Sequence, residues 1–256
     1  MKKYCTYIIN LETSVVRKEY IRNLFLPYPH FDLQFVNAVD GRKLSNDELQ
    51  KAFDSLKCLD HNGRVLNGGE IGCVLSHRKC CRKLLESSHA YALVLEDDVH
   101  LMRDLSVICE ADIERVLNVE EPTVLLLSGD YWYWRKNSPI LSVFDAVGAY
   151  AYFINRAAAE RILSIPKPYN VADDWTLYKS LGIRLKAFQP YLMDANVNME
   201  VLGSDVSQDT WGIDRRRMAW KEIWLSYQSA LVKKLLKMSG RFESKIRVMH
   251  NKVVDQ

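Results

Sequence analysis

Short runs rich in apolar residues alternate with amphipathic stretches along the chain, and this alternation predicts its secondary structure. Strands are predicted at 4–9, 31–39, 92–95, 123–127, 149–154 and 183–188, and helices at about 14–25, 70–86 and 215–238. Strands that alternate with helices indicate an α/β fold. Runs that are apolar throughout are typical of strands buried on both faces of a mostly parallel sheet. We therefore expect one such sheet, flanked by helices.

Length and composition suit one large domain with an appendage. The 256 residues are 48% hydrophobic and 26% charged, which is ordinary for a chain that buries a large core. We divide the chain into a domain at 1–212 and a basic helical extension at 213–256. Two helix starts are also predicted: Ser45-x-x-Glu48 forms a capping box, and Asn155 caps the Ala-rich stretch that follows it.

The N-terminal region lacks the features of an export signal. Its apolar stretch, Tyr7-Ile8-Ile9, is too short for one, and no segment approaches the roughly 20 apolar residues that span a bilayer. The six cysteines include no C-x-x-C pair, so we expect reduced, mostly buried thiols rather than a zinc site. These features predict a cytoplasmic protein.

Basic residues are concentrated near the carboxyl terminus. The chain carries a net charge of +3, but from Ser229 onward seven Lys and Arg stand against two Asp and Glu, a net +5, so the remainder sums to −2. In the last predicted helix one face carries Trp224, Leu231, Leu235 and Met238, and another carries Lys233, Lys234 and Lys237. A basic amphipathic helix is typical of peripheral contact with an anionic membrane, here the inner face of the cytoplasmic membrane. The alternative is a helix docked on the body with solvated lysines, and no nucleic-acid partner is expected.

Two predicted strands end in acidic residues. Glu96, Asp97 and Asp98 follow one buried run, and Asp130 follows the next. In α/β sheets ligands bind at the carboxyl ends of strands. Three adjacent carboxylates repel one another unless a cation compensates them, and Mg²⁺ or Mn²⁺ prefers oxygen ligands. The triplet is therefore predicted to hold such an ion beside a departing diphosphate, with a solvated acidic turn as the alternative.

A glycine-containing junction opens the long helix predicted at 70–86. Gly69 and Glu70 stand at its start, and Ser76 and His77 follow within two turns. A helix N-terminus offers free N–H groups to an anion. The same pattern also suits a plain loop-to-helix junction in which Glu70 favours the helix dipole, and a helical histidine is more often structural than catalytic.

The first strand and first helix supply a further candidate for anion binding. Asn10 and Leu11 follow the strand, and Arg17 lies on the helix after it. Arg17 is placed to reach a phosphate or a nucleotide, with a solvated helix arginine as the alternative.

Two later stretches are candidates for an acceptor site. Asp173 and Asp174 precede Trp175 at the start of a short helix, where one carboxylate suits a general base and the other a helix cap. Tyr131 and Trp132 follow the second acidic strand end directly, and aromatic faces suit stacking against sugars. Exposed aromatics also mark contacts with membranes or proteins.

In chain order these stretches resemble glycosyltransferase family 25, the bacterial lipooligosaccharide galactosyltransferases and their collagen-modifying relatives. The matching stretches are Ile9-Asn10-Leu11 with Arg17, Gly69 to Cys73, Ser76-His77, Leu95 to Val99, Gly148 to Arg156, Val171 to Trp175 and Leu202-Gly203-Ser204. Together they span about 4–205. The resemblance implies a GT-A type fold, a UDP-sugar donor, a divalent metal and an inverting displacement.

The resemblance also implies roles for individual residues. Asp98 is expected to ligate Mn²⁺ or Mg²⁺ directly, with Asp97 beside it, and Glu96 and Asp97 near the ribose or the metal-bound waters. Asp174 matches the single acidic residue of the family at its position, but here Asp173 doubles it. We take Asp174 as the general base, because a metal-bound carboxylate is a weak base. The donor-binding set is expected to be Asn10, Leu11, Arg17, Gly69, Glu70, Ser76, His77, Glu96 and Asp97.

The acceptor site is expected to include Asp130, Tyr131, Trp132, Trp175 and Ser204. Asp205 is the one candidate that the sequence offers for a third metal ligand. The predicted reaction transfers galactose from UDP-galactose, in β linkage, to a lipid-linked lipooligosaccharide or lipopolysaccharide glycan. UDP-glucose is the alternative donor. Two other classes remain open: a glycosidase, which also uses two carboxylates, and a non-catalytic sugar-binding module at a membrane.

Overall fold

The computed structural model describes residues 3–134, 139–195 and 214–244. The strands are β1 (Tyr4–Asn10), β2 (Phe31–Asn37), β3 (Tyr91–Glu96), β4 (Val99–Leu101), β5 (Thr123–Leu126), β6 (Asp130–Tyr133), β7 (Ile140–Val147), β8 (Ala151–Asn155), β9 (Arg184–Phe188), β10 (Met193–Ala195) and β11 (Phe242–Glu243). The helices are α1 (Val15–Phe25), α2 (Asn46–Ala52), α3 (Ser55–Asn62), α4 (Gly68–Glu86), α5 (Glu110–Leu117), α6 (Arg156–Leu163), α7 (Trp175–Ser180) and α8 (Trp220–Met238).

Nine strands form one mixed sheet in the order β11-β6-β7-β9-β5-β8-β3-β1-β2. The pairings β1–β2, β1–β3 and β5–β9 are parallel and the other five are antiparallel. By these pairings β1, β2, β3, β5, β6 and β9 run in one direction, and β7, β8 and β11 run in the other. Six of the nine strands thus share a direction, which confirms the predicted α/β fold with a mostly parallel sheet. Strands β4 and β10 form a separate antiparallel ribbon.

Helices cover both faces of the sheet, which explains why its central strands are apolar throughout. Successive side chains of a strand point to opposite faces. Leu93 of β3 packs in one cluster with Ile21 of α1 and Ile113 of α5. The next residue, Val94, packs in the opposite cluster with Leu84 of α4. Both faces of β3 are therefore core, so no polar position interrupts its run.

The sequence predicted the long elements better than the short ones. The helix predicted at 70–86 is α4, which begins two residues earlier, and the helix predicted at 215–238 is α8, preceded by a 3₁₀ turn at Arg215–Arg217. The short helices α3 and α5 and the hairpin of β6 and β7 were not predicted. Elements of this length hold few apolar positions, so tertiary packing rather than periodicity determines them.

Asn155 caps α6, as predicted, and also ties together segments that are distant in sequence. Its Oδ1 accepts hydrogen bonds from the backbone N–H groups of Ala158 and Thr123, both at 3.0 Å. Its Nδ2 donates to the carbonyls of Val119 and Glu121 at 3.2 and 2.9 Å. The side chain is buried, so these groups have no water to replace it.

We expect Asn155→Ala to lower the free energy of unfolding by about 2–4 kcal/mol, because it removes a helix cap and leaves buried donors and acceptors unpaired. Urea unfolding followed by circular dichroism measures this change. Asn118→Ala is the matched control, since the Asn118 side chain makes its hydrogen bond to Glu114 at the surface. Equal midpoints for the two variants would contradict the assignment.

Candidate active site

A cleft of about 680 Å³, open to solvent, lies at the carboxyl ends of β1, β2 and β3. Eight residues that the sequence proposed as site residues line it: Leu11, Arg17, Gly69, Ser76, His77, Glu96, Asp97 and Asp98. They meet there because the three strands are parallel neighbours. Ile9 of β1 lies opposite Glu96 of β3, and Asn10 lies opposite Asn37 of β2, so the chain leaves all three strands at the same edge of the sheet.

The loop after β2 forms a wall of the cleft that the sequence analysis missed. Residues 38–42 line the cleft and press against the first turns of α4. A Cβ atom on Gly72 would lie 2.3 Å from the carbonyl oxygen of Val39. The backbone N–H of Val39 donates to the Ser76 hydroxyl at 2.8 Å. The glycine therefore permits close packing of loop and helix, and Ser76, which lines the cleft, also positions that loop.

Glu70 is not among the residues that line the cleft, so the structure does not support its predicted role in donor binding. Its two oxygens pair with the guanidinium of Arg64 at 2.5 and 2.8 Å. It also forms a capping box with Asn67, whose side chain accepts from the Glu70 N–H while Glu70 accepts from the Asn67 N–H. Both carboxylate oxygens of Glu70 are thus engaged in hydrogen bonds at the start of α4. This agrees with the alternative of a plain loop-to-helix junction that the sequence left open.

Asp97 is held in place by two residues that were expected to contact the donor. Asn10 donates to its Oδ2 at 2.7 Å, and Arg17 donates to its Oδ1 at 3.0 Å. Burial raises the pKa of Asp97, and the bonds from Asn10 and Arg17 oppose that rise. Asn10 is itself buried and does not line the cleft. Asn10 therefore positions the acidic triplet in the structure.

Asp98 has a buried oxygen, Oδ1, that accepts no hydrogen bond from the described residues. Burial raises its pKa to about 7, and the charges of Glu96 and Asp97 add to the rise. A buried carboxylate oxygen without a donor is costly unless a cation satisfies it. The site therefore fits a hard divalent ion, which Asp98 would hold.

Several carboxylates lie near Tyr150, the residue that directly precedes β8. The sequence did not predict that they come together. Burial raises the pKa of the Tyr150 phenol, and the charges of Glu96, Asp173, Asp194 and Asp98 raise it further, in that order. All four carboxylates therefore lie within electrostatic reach of this ring. Tyr150 belongs to the stretch from Gly148 to Arg156 that resembles family 25. That resemblance is the signal in the sequence by which Tyr150 could have been found.

Asp194 is a carboxylate near the acidic triplet that the sequence did not single out. It lies on β10 opposite His100 of β4, the strand that directly follows Asp98. Asp98 itself lies in the turn between β3 and β4, and its charge and that of Asp194 both raise the pKa of Tyr150. Asp205, the third ligand that the sequence offered, and the proposed acceptor contact Ser204 lie outside the described residues.

The two neighbouring carboxylates at the start of α7 have different partners. Asp174 is the N-cap of α7: its Oδ1 accepts from the Leu177 N–H at 3.0 Å, and its Oδ2 contacts Nε2 of His61 at 2.7 Å. Asp173 instead accepts from the Gly148 N–H at 2.8 Å. Burial raises the pKa of Asp173, and the charge of Glu96 contributes to the rise. Asp173 therefore lies on the side of the acidic triplet, while Asp174 has the capping role.

The aromatic residues predicted at the acceptor site are mostly interior. Tyr131 and Trp175 are 0% and 1% exposed, so neither presents a face to a sugar in the structure. The indole N–H of Trp175 donates to the Gly148 carbonyl at 3.0 Å. Trp132 packs on Phe242, with ring centroids 4.7 Å apart. Tyr131 is buried because the run lies in β6, where alternate side chains point to the core, and not in a loop. Asp130, also proposed there, is half-buried at the start of β6.

His77 is oriented by two polar neighbours. Its Nδ1 lies 2.9 Å from the hydroxyl of Tyr152, and its Nε2 lies 3.3 Å from Oε1 of Glu96. The imidazole and the Tyr152 ring stack with centroids 5.7 Å apart. The histidine therefore presents its Nε2 edge toward the acidic triplet.

The matches to known proteins agree with these features. Residues 4–144, more than half of the chain, match the family described as Glycosyltransferase family 25 (LPS biosynthesis protein). The chain is 38% identical over 98 residues to a Glycosyltransferase 25 family member of Aedes aegypti, across 36% of this chain and 16% of that protein. It is 27% identical over 218 residues to Procollagen galactosyltransferase 2 of Homo sapiens, across 73% of this chain and 34% of that protein.

The chain thus spans about a third or less of the length of these two relatives. Among solved structures, the inositol-1-phosphate CTP transferase from T. maritima aligns with a TM-score of 0.39 and 9% identity, over 79% of this chain and 94% of that one. A similarity this low carries no argument about activity.

Proposed function

The chain belongs to glycosyltransferase family 25, and on that basis we propose that it transfers a hexose from a nucleoside diphosphate sugar to an acceptor hydroxyl. The observation that carries the proposal is the buried Oδ1 of Asp98, which has no hydrogen-bond partner among the described residues, at the edge of the cleft. Arg17 and Arg42 also line that cleft. A carboxylate that needs a cation, beside guanidinium groups, suits a diphosphate with its ion better than a neutral sugar alone.

We propose Mn²⁺ or Mg²⁺ as the ion, held by Asp98 with Asp194 as the further ligand. Such an ion, when bound, neutralises charge on the departing diphosphate. The chain's own residues prepare the site. Arg17 and Asn10 fix both oxygens of Asp97, which we therefore assign to positioning rather than to ligation. His77, buried against Tyr152, contacts Oε1 of Glu96 through its Nε2.

The proposed displacement is inverting, with Asp173 as the general base. An inverting transfer requires a carboxylate that takes the proton of the acceptor hydroxyl on the side opposite the leaving diphosphate. Asp173 is half-buried and has a raised pKa, which strengthens it as a base. Asp174 was the first choice from the sequence, but its cap and its contact with His61 engage both of its oxygens.

The proposed donor is UDP-galactose and the proposed acceptor is a lipooligosaccharide or lipopolysaccharide glycan. The family description and the galactosyltransferase name of the human relative support this choice. UDP-glucose is the second candidate, because glucose and galactose differ at one hydroxyl.

The test is UDP release by the purified chain with each UDP-sugar, Mn²⁺ and lipooligosaccharide. We expect release that depends on the acceptor, is fastest with UDP-galactose and stops in EDTA. Three other outcomes separate the alternatives. Sugar liberated from the acceptor without a nucleotide would indicate a glycosidase, sugar binding without UDP release would indicate a binding module, and full activity in EDTA would contradict the ion.

We further propose that α8 attaches the protein to an anionic membrane surface. Its apolar stripe points away from the body, with exposed fractions of 87% for Trp220, 65% for Trp224 and 61% for Leu231. The opposite side holds the helix on the body, where Leu236 is buried and Lys233 pairs with Asp145. No helix in the described ranges combines the length and apolar character that crossing a bilayer requires.

The helix is docked on the body, as one alternative from the sequence expected, and it also presents an apolar stripe outward. The exposed stripe supports the proposed membrane contact. An exposed stripe of large apolar side chains on a monomer commonly marks a membrane or protein contact. The excess of Lys and Arg after Ser229 favours anionic lipid as the partner. The inner face of the cytoplasmic membrane is the location that we propose.

We expect the double variant Trp224→Gln, Leu231→Gln to lose most binding to vesicles that contain phosphatidylglycerol, because the stripe no longer has apolar area to bury in the interface. Vesicle sedimentation at low and high salt measures this binding. The matched control is Leu56→Gln, since Leu56 is 79% exposed on α3. Unchanged binding by the double variant would exclude α8 as the membrane contact.

A further inference from the structure

Three side chains of different chemistry converge in the wall of the cleft. Cys73 and His77 lie one turn apart on α4, so they share a face of the helix, and Glu96 ends β3 beside them. The Cys73 Sγ lies 3.9 Å from Oε1 of Glu96, and Nε2 of His77 lies 3.3 Å from the same oxygen. One ligand atom from each residue falls within 4.8 Å of the other two.

We propose that Cys73, His77 and Glu96 form a second cation site, which takes a borderline divalent ion such as Zn²⁺ and thereby blocks the cleft. Tetrahedral zinc with ordinary bond lengths separates a sulfur from an oxygen ligand by about 3.6 Å, and a nitrogen from an oxygen by about 3.4 Å. The observed separations of 3.9 and 3.3 Å differ from these by a few tenths of an ångström. Small side-chain rotations therefore suffice to close the site.

The surroundings of His77 match those of a metal-binding histidine. Such a histidine donates its other ring N–H to a neighbouring acceptor, which fixes the tautomer and aims the free nitrogen. The Tyr152 hydroxyl, 2.9 Å from Nδ1, is placed to accept that bond. With the proton on Nδ1, Nε2 presents its lone pair toward Glu96. His77 is 4% exposed, so its ring is held by packing as well.

The composition of the cluster separates it from the site at Asp98. Thiolate and imidazole ligands favour zinc and similar ions, whereas sites made only of oxygen favour Mg²⁺ or Mn²⁺. Binding requires Cys73 to release its thiol proton to solvent as the metal–sulfur bond forms. The sequence argued against zinc because no C-x-x-C pair is present. This cluster instead combines Cys-x-x-x-His on a helix with a glutamate from a strand end.

The inference that a bound zinc ion blocks the cleft follows from where the three residues lie, and it rests on the proposed function. All three residues line the cleft that we assign to the donor. Cys73 is partly exposed there, so an ion that the three residues held would occupy space that a bound nucleotide needs. Metal binding itself needs no turnover and is tested separately.

The binding test uses Co²⁺ as a spectroscopic substitute for zinc, added to the chelator-treated full chain in excess Mg²⁺. We expect one equivalent to give a thiolate-to-cobalt charge-transfer band and the visible bands of a tetrahedral ion, both abolished by Zn²⁺. Cys73→Ser should lose the charge-transfer band, and His77→Gln should weaken cobalt affinity at least about tenfold. Cys109→Ser, which alters an exposed thiol elsewhere, should keep the full spectrum.

Circular dichroism of each variant separates lost binding from lost folding, and Tyr152→Phe supplies a variant that keeps all three ligands but should weaken affinity. Absence of a thiolate band in the natural chain, or its persistence in Cys73→Ser, would overturn the site.

The proposal that zinc blocks the cleft is tested by inhibition of UDP release. Zn²⁺ should inhibit UDP release by the natural chain, and added UDP should protect against this inhibition. Cys73→Ser should resist inhibition relative to its own activity without zinc. Cobalt binding without zinc inhibition would overturn the blocking alone, and absence of UDP release under all conditions would contradict the proposed function while leaving the cobalt result intact.

Discussion

Asp98→Asn is expected to lower UDP release by roughly 10³-fold, since charge stabilisation by a bound ion contributes several kcal/mol to such reactions. The same substitution should stabilise the metal-free protein at pH 8. In the natural chain Asp98 is a buried carboxylate next to Glu96 and Asp97, and its Oδ1 has no donor among the described residues. Asparagine removes the charge, and with it the repulsion, at nearly the same volume. Loss of activity together with a gain in stability is the pattern of a functional residue.

The stability difference should depend on pH in a stated direction. The pKa of Asp98 is raised from 3.8 to about 7 in the folded chain. The unfolded chain therefore releases this proton more readily, and the contribution of Asp98 to stability falls as pH rises from about 4 to about 7. Melting temperatures of the two proteins without metal should be close near the acidic end of this window. They should separate by a few °C above it.

Asp112→Asn is the control, because Asp112 is a surface carboxylate that pairs with Arg115 on α5. It should change neither activity nor the pH profile. Adding Mn²⁺ with UDP should raise the melting temperature of the natural chain and of the control but not of the Asp98 variant. Full activity of Asp98→Asn, or equal stabilisation of all three proteins by Mn²⁺ and UDP, would exclude Asp98 as the ion ligand.

Asp173→Asn is expected to lower kcat by about 10²–10⁴-fold, the usual contribution of a general base, while affinity for the UDP-sugar stays near that of the natural chain. The substitution keeps an oxygen that can accept from the Gly148 N–H, so the local fold should persist. It removes the basic carboxylate on the side of the acidic triplet. Steady-state kinetics and calorimetric binding of UDP measure the two effects.

Asp174→Asn is the matched control, one residue away. Asparagine is itself a good helix cap, so the loss should be confined to the charged contact with His61, which is a largely buried pair, and stability should fall by about 1–3 kcal/mol. Turnover should change little. If Asp174→Asn instead causes the larger fall in kcat, the original choice of Asp174 is correct, and if neither variant loses activity, Asp130 is the next carboxylate to substitute.

The sequence predicted much of the part of the site that lies at the ends of β1 and β3, because parallel strands bring their carboxyl ends to one edge of the sheet. Residues that follow such strands are recognisable locally, and Leu11 and the triplet from Glu96 to Asp98 were found in this way. The same rule applied to β2 would have named residues 38–42. Tyr150 and Asp194 were not predictable by it, because β8 is antiparallel to its neighbours and β10 lies in a separate ribbon.

The sequence by itself determined the α/β class, the two-sided burial of the central strands and the acidic chemistry at their ends, because apolar periodicity and residue type are local properties of the chain. It did not determine which carboxylate performs which task. Asp173 and Asp174 are adjacent, yet one accepts from Gly148 and the other contacts His61, 113 residues away in sequence. Asp97 is likewise held by Asn10 across 87 residues, while the neighbouring Asp98 keeps an oxygen without a donor among the described residues. Only the tertiary structure decides these roles, because burial and partners from distant segments set the free energy of each charge.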